Sequence, residues 1–130
     1  MKLGYTIIFV DDVAEAVDFY ERAFGIEREF VHKAGDYAQM STGETKLAFT
    51  SHALGATAVP VAYTAFDPGQ TPAGVELTLI TDDVAAGFAK AVSAGAVPLA
   101  EPHDTEWGQT VSYVRDHVGT LVSIASGMDG

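Results

Sequence analysis

Tyr5 to Val10 is a run of β-branched and aromatic residues that ends on Asp11-Asp12. That composition suits a pleated, half-buried surface and predicts a strand. Beyond the aspartates the apolar period lengthens. Val13, Ala16, Val17, Tyr20 and Phe24 share one helical stripe, while Glu15, Asp18, Glu21 and Arg22 fall on the wet side. Asp12 is a good N-cap, Glu15 completes an Asp-x-x-Glu capping pattern, and Gly25 supplies a left-handed stop. Glu27 to His32, Asp36 to Ser41 and Thr45 to Ser51 then read as strands, with Thr42-Gly43-Glu44 as a turn. The order is β-α-β-β-β.

The plan repeats. Thr6-Ile7-Ile8-Phe9-Val10-Asp11-Asp12-Val13 is matched by Leu77-Thr78-Leu79-Ile80-Thr81-Asp82-Asp83-Val84, 71 positions later. Ala23-Phe24-Gly25-Ile26 is matched by Ala94-Gly95-Ala96-Val97, and Gly43 to Ser51 by Gly119 to Ser126. The second helix is predicted from Val84 to Ala94, with Val84, Phe88, Ala91 and Val92 as its stripe and Gly87 lowering its propensity. Val97 to Ala100, Thr110 to Arg115 and Leu121 to Ala125 read as strands, Glu101 to Gly108 as a long loop and Asp116 to Gly119 as a tight turn. One domain, 1–130, is therefore expected: a module over 1–52, a connector over 53–73 and a second module over 74–126. The connector holds Pro60, Pro68 and Pro72 and almost no charge, with Val61 to Phe66 as a short extended piece. Duplicated units of this size usually pack about a pseudo-twofold axis, which makes the groove between them the natural place for function.

Composition narrows the classes. Hydrophobic content of 48% supports a packed core rather than disorder. No apolar run approaches the roughly 20 residues of a membrane span, and the start shows no secretory h-region. Absence of cysteine removes disulfides, thiol nucleophiles and zinc–thiolate sites, and it fits a cytoplasmic protein. The net charge of −11 argues against nucleic-acid partners. It serves solubility and also suits a cationic ligand.

Four stretches give the pattern a family likeness: Val10-Asp11-Asp12, Asp18-Phe19-Tyr20-Glu21-Arg22-Ala23-Phe24-Gly25, Trp107-Gly108-Gln109-Thr110, and Tyr113-Val114-Arg115-Asp116 before Gly119. With the duplicated β-α-β-β-β plan, the chain resembles the vicinal oxygen chelate superfamily of glyoxalase I, extradiol dioxygenases, and bleomycin- and fosfomycin-resistance proteins. The resemblance implies an α+β fold in which two tandem βαβββ modules form a cup-shaped, curled mixed sheet, with a homodimer often completing the cup. The turn Asp116-His117-Val118-Gly119 departs from the Asp-Pro-x-Gly usual in that family.

Metal-dependent members of the family carry four ligands, one on the first and one on the last strand of each module. The resemblance and the repeat together place those positions at Tyr5, Ala48, Glu76 and Ser123. Only Glu76 is a good ligand for a divalent ion, and a one-residue slip would turn each side chain to the other face. No cofactor is expected, and a divalent metal is disfavoured. His32, His52, His103 and His117 read as strand-end or loop residues, with a site from His52, His103 and Glu76 as a lesser alternative.

Glu76 is the sharpest chemical candidate. It lies between Val75 and Leu77, where desolvation would raise its pKa and suit a catalytic base or an anchor for a cation. Its plainer readings are a strand-end glutamate or a partner of Arg115. Trp107 is read either as a stacking plate at the cup mouth or as a loop anchor. Arg115 is read either as an anion clamp or as a partner of Asp116. Strand parity groups Tyr5, Ile7 and Phe9 with one another, Lys46 and Thr50 with Ala48, and Thr78 and Ile80 with Glu76; Tyr37 and Gln39 alternate on the middle strand. The ligand-binding set expected is Tyr5, Ile7, Phe9, Gln39, Ala48, Thr50, Glu76, Thr78, Trp107, Arg115 and Ser123. The leading reading is a metal-free protein that binds or sequesters a small hydrophobic or cationic molecule, without nucleic-acid or membrane partners. The alternatives are a glyoxalase-type lyase, isomerase or dioxygenase using a non-standard metal site or Glu76 as base, and an interaction module with a vestigial cup.

Overall fold

A computed structural model describes residues 1–128, so the last two positions of the 1–130 span lie outside the described residues. The chain divides into two compact units, Met1–Ala65 and Phe66 onward. The first contains β1 (Tyr5–Val10), α1 (Val13–Phe24), β2 (Arg28–Val31), β3 (Tyr37–Met40), β4 (Lys46–Ser51) and α2 (His52–Ala58). The second contains β5 (Glu76–Ile80), α3 (Val84–Ser93), β6 (Val97–Asp104), β7 (Thr110–Arg115) and β8 (Leu121–Ala125).

Each unit builds a four-stranded mixed sheet, ordered β1-β4-β3-β2 in the first and β5-β8-β7-β6 in the second. The first strand of each pairs parallel with the last, and the remaining pairs are antiparallel. The registers match across the repeat: Ile7 lies beside Ala48 as Thr78 lies beside Ser123, and Gln39 faces Ala48 as Tyr113 faces Ser123. Neither sheet closes on itself.

Asp12 caps α1 by accepting a hydrogen bond from the Glu15 backbone N–H at 3.1 Å, and Gly25 ends the helix at φ 66°. Asp83 caps α3 in the same way, through the Ala86 N–H at 3.0 Å. The helix-facing side of the first sheet is Ile8, Val10, Ala38, Met40, Leu47 and Phe49, all buried. Tyr20 of α1 meets Phe49 edge-on with ring centroids 5.0 Å apart. Burial of each such large side chain contributes about 1.5–3 kcal/mol. The α1 stripe is wider than five positions: Phe19 and Ala23 are buried too, and Phe24 is only half-buried.

Three elements depart from the sequence reading. The 53–73 connector opens with α2, capped by the Ser51 hydroxyl accepting from the Leu54 N–H. Its Ala, Gly and Thr residues carry no apolar stripe, so periodicity gives no signal. Val61 to Phe66 forms no strand. Residues Glu101 to Asp104, read as loop, extend β6, with His103 opposite Val111 and Asp104 opposite Thr110. β6 is an edge strand with two register shifts, which is where Pro98 and Pro102 are tolerated.

Candidate functional site

In each sheet the side away from the helix is open. On the first sheet, alternation puts Tyr5, Ile7 and Phe9 of β1, Lys46, Ala48 and Thr50 of β4, and Tyr37 and Gln39 of β3 on that face. Tyr5 is 58% and Ile7 45% exposed, whereas Ala48 is fully covered. A polar chain crosses the face beside them. The Lys46 ammonium lies 2.6 Å from Glu29 Oε2, Gln39 Nε2 donates to Glu29 Oε1 at 3.3 Å, and the Tyr37 hydroxyl donates to Gln39 Oε1 at 3.1 Å. The Lys46 hydrogen bond holds the Glu29 carboxyl below its ordinary range. Burial, and then the charges of Tyr5 and Glu29, push the Tyr37 phenol up.

The far end of this face is already covered by the chain itself. The Tyr63 ring sits 4.8 Å from the Phe9 ring, centroid to centroid. Its hydroxyl lies 2.6 Å from His52 Nδ1, and the two rings stack at 5.7 Å and 24°. His52 Nε2 faces the Asp11 carboxylate at 3.6 Å. With the imidazole proton on Nε2, toward Asp11, Nδ1 accepts from the Tyr63 hydroxyl. Gly55 of α2 packs so close that a Cβ there would meet the Tyr63 hydroxyl at 3.4 Å and the Phe9 ring at 3.7 Å. Beside this cluster is a shallow depression of about 530 Å³ lined by Ala56, Val59, Pro60, Val61, Ala62 and Tyr63. Phe9 and Thr50, both expected to touch a ligand, are thus an internal ring contact and a side chain only 7% exposed.

On the second sheet the open face carries Glu76, Thr78 and Ile80 of β5, with Ser123 of β8 and Tyr113 of β7. Glu76 is exposed on an edge strand, so the burial expected to desolvate it is absent. Its Oε2 accepts from the Thr78 hydroxyl at 2.8 Å. Ser123, in contrast, is 2% exposed.

Arg115 is neither an anion clamp nor the partner of Glu76. Its guanidinium donates to the carbonyls of Gly119, Asp67, Pro68 and Gln70 at 2.8–3.2 Å and so ties residues 67–70 to the β7–β8 turn. Gly119 has φ 97°, and a Cβ there would lie 2.5 Å from Arg115 Nη2, so glycine is required. Asp116 braces the same turn through the Val118 and Thr120 N–H groups. Trp107 is 68% exposed rather than buried as a core anchor. Its Nε1–H donates to Gln109 Oε1 at 2.6 Å, and Gln109 in turn donates to the Ser126 carbonyl. The ring is displayed and held.

The two sheets share this plan with a known family. A model of the Glyoxalase/Bleomycin resistance protein/Dioxygenase superfamily matches residues 2–124. The chain belongs to this superfamily. An uncharacterized protein of Bacillus subtilis (strain 168), YraH, is 26% identical over 95% of this chain and 97% of its own length. Among solved structures, a glyoxalase-related enzyme from Fulvimarina pelagi superposes with a TM-score of 0.83 at 20% identity, over 98% of this chain and 88% of that one. TioX from Micromonospora sp. ML1 superposes with a TM-score of 0.71 at 21% identity, over 97% and 98% of the two chains. At these identities the superpositions establish the fold.

Superfamily members that use a metal need donors at the four repeat-related positions, and the residues here do not fit. Ala48 offers a methyl group, and Tyr5 and Ser123 are weak ligands for a divalent ion. No group of three or more His, Cys, Asp or Glu side chains among the described residues could hold a metal ion. His103 Nδ1 donates to the Glu101 carbonyl, and His52 is engaged by Tyr63 and Asp11. Lys46 and Tyr37, which strand parity had marked, join the open faces, as do Glu29, Tyr113 and Tyr63, which had not been singled out. Parity with Ala48 marks Lys46, whereas nothing local marks Tyr63. No helix among the described residues is long and apolar enough to cross a membrane.

Proposed function

We propose that this superfamily member is a metal-independent binding protein that captures a small hydrophobic or cationic molecule, an antibiotic being one such cargo, on the open faces of its sheets. One observation carries the reading: exposed Tyr5 and Ile7 stand beside the Lys46–Glu29–Gln39–Tyr37 chain. An apolar surface with a few ordered polar groups is how sites for small organic molecules are built. The second sheet by itself offers Glu76, unburied and hydrogen-bonded to Thr78, as an exposed carboxylate for a cation, and the same unit holds Trp107 as a displayed aromatic plate. The working form proposed is a cytoplasmic homodimer. Edge strands β1 and β5 leave Tyr5, Ile7 and Ile80 exposed, and apolar edges of this kind favour self-association.

The test is elemental analysis of the purified protein before and after incubation with nickel, zinc, manganese and iron, followed by a small-molecule binding screen. The expected result is no metal above trace, together with saturable binding of an aromatic cation. Glu76→Gln is expected to weaken that binding more than tenfold. Stoichiometric tight metal, or binding indifferent to Glu76→Gln, overturns the corresponding part of the reading.

A further inference from the structure

We propose that the surface formed by Phe9 and His52 is a subsite for a 4-hydroxyphenyl group, and that Tyr63 is its resident occupant. The chain displays the recognition chemistry on itself. The Tyr63 ring lies against Phe9 at 4.8 Å and stacks on the His52 imidazole at 5.7 Å, and its hydroxyl reaches His52 Nδ1 at 2.6 Å. Two ring contacts and one short hydrogen bond specify an aromatic ring with a para hydroxyl. Gly55 lines the slot, where a Cβ would rest in ordinary van der Waals contact with both the hydroxyl and the Phe9 ring.

The occupant is exchangeable. Tyr63 lies in 59–65, a stretch with no helix or strand, and the residue is 38% exposed. The strand face offers room for the rest of a ligand, since Ile7 and Tyr5 continue it from Phe9.

A tethered occupant competes at an effective concentration in the millimolar range. A bare phenol therefore displaces it poorly, and a useful ligand carries a further apolar or cationic body that gains contacts along Ile7 and Tyr5. Discrimination would come from His52. A polar group placed to receive a hydroxyl rejects the analogue that lacks it, because its own hydrogen bond is then lost. This inference rests on the reading of the first-sheet open face as a binding surface and names the chemical class that its far end accepts.

The experiment is an NMR titration of the full chain with tyramine and with phenethylamine, which differ only in the para hydroxyl. In the wild type, tyramine is expected to abolish the Tyr63–Phe9 ring contact and to bind at least tenfold more tightly than phenethylamine. Tyr63→Ala removes the competitor and should tighten tyramine binding at least tenfold. His52→Ala should bring the two amines to equal affinity. Tyr63→Phe keeps the ring and loses the hydroxyl; it serves if Tyr63→Ala does not fold, and tyramine should then bind more tightly than to the wild type. Equal affinity of the two amines for the wild type, or tyramine bound with Tyr63 still on Phe9, overturns the subsite. Shifts at Tyr5 and Ile7 without shifts at Phe9 and His52 overturn the subsite and leave the open face standing. No shift at either place overturns both.

Discussion

The two repeats share a backbone plan and differ in what fills it. On the helix side, the first unit packs Phe19, Tyr20, Met40 and Phe49 into one aromatic and aliphatic core, and six of the α1 residues are buried. In the second unit only Val84 and Ala91 of α3 are buried, and the sheet answers with Ser112, Val114, Val122 and Ile124. Position 71 residues on from Ala16 is Gly87, where a Cβ would come within 3.1 Å of Ile124 Cγ2. At Gly87 the second helix comes close to Ile124, and two of its residues are buried against six in α1, so a repeat can keep its topology while its share of core volume drifts.

The connector shows the same divergence. The first unit holds its share with rings, through Tyr63 on Phe9 and His52. The second holds its share with one guanidinium on backbone carbonyls. The far end of the first open face is thus occupied by a side chain, whereas Glu76, Thr78 and Ile80 on the second are exposed.

The largest expected effect tests the cores. Phe49→Ala should cost about 3–5 kcal/mol, and Ile124→Ala, at the equivalent position, should cost less within a range of about 2–5 kcal/mol. Urea denaturation followed by far-ultraviolet circular dichroism compares them, and equal losses would erase the difference in core packing. Next comes the guanidinium clasp: Arg115→Ala should lower stability by about 1–3 kcal/mol, since hydrogen bonds from a charged donor are being removed. Amide exchange at residues 67–70 should accelerate with it, and unchanged exchange would show that another contact holds that segment.

A smaller effect sharpens the helix comparison. Gly87→Ala should raise the melting temperature slightly, because Ala gains up to about 1 kcal/mol of helix propensity and only an Ile124 methyl must yield. A loss of stability would mean that Ile124 cannot move. The smallest effect belongs to the surface of the first unit. Arg28 ion-pairs with Glu21 at 2.7 Å and Asp18 at 3.0 Å, and its hydrogen bonds bring the Glu21 carboxyl from 4.5 down to about 2. A depressed carboxyl stabilises the fold above its unfolded pKa, and that contribution disappears as pH falls toward about 2. The gap between wild type and Arg28→Ala should therefore narrow between pH 4.5 and 2, and 1 M salt should shrink it throughout because the pair is exposed. A gap independent of pH would assign Arg28 a packing role instead.

Alternation and helical period made most of the fold legible. They located the strands of each repeat, the two long helices, the Asp12 cap and the strand faces, whereas the Asp83 cap was not read; the repeat, taken with the family resemblance, aligned Tyr5 with Glu76 and Ala48 with Ser123, and the sheet registers are equivalent at those positions. These are local properties: the pleat turns every second side chain the same way, and a cap needs only the next three residues. Tertiary structure alone decided what covers each face. Phe9 shares its parity with Tyr5 and Ile7, yet Tyr63, more than fifty positions away, sits on it. Arg115 was open to several partners, and carbonyls 45 to 48 positions earlier took it. Glu76 lay among apolar neighbours and is nonetheless exposed, because its strand is an edge. Periodicity states which way a side chain points. The occupant of the space in front of it depends on segments without period, whose placement is settled only when the chain has folded.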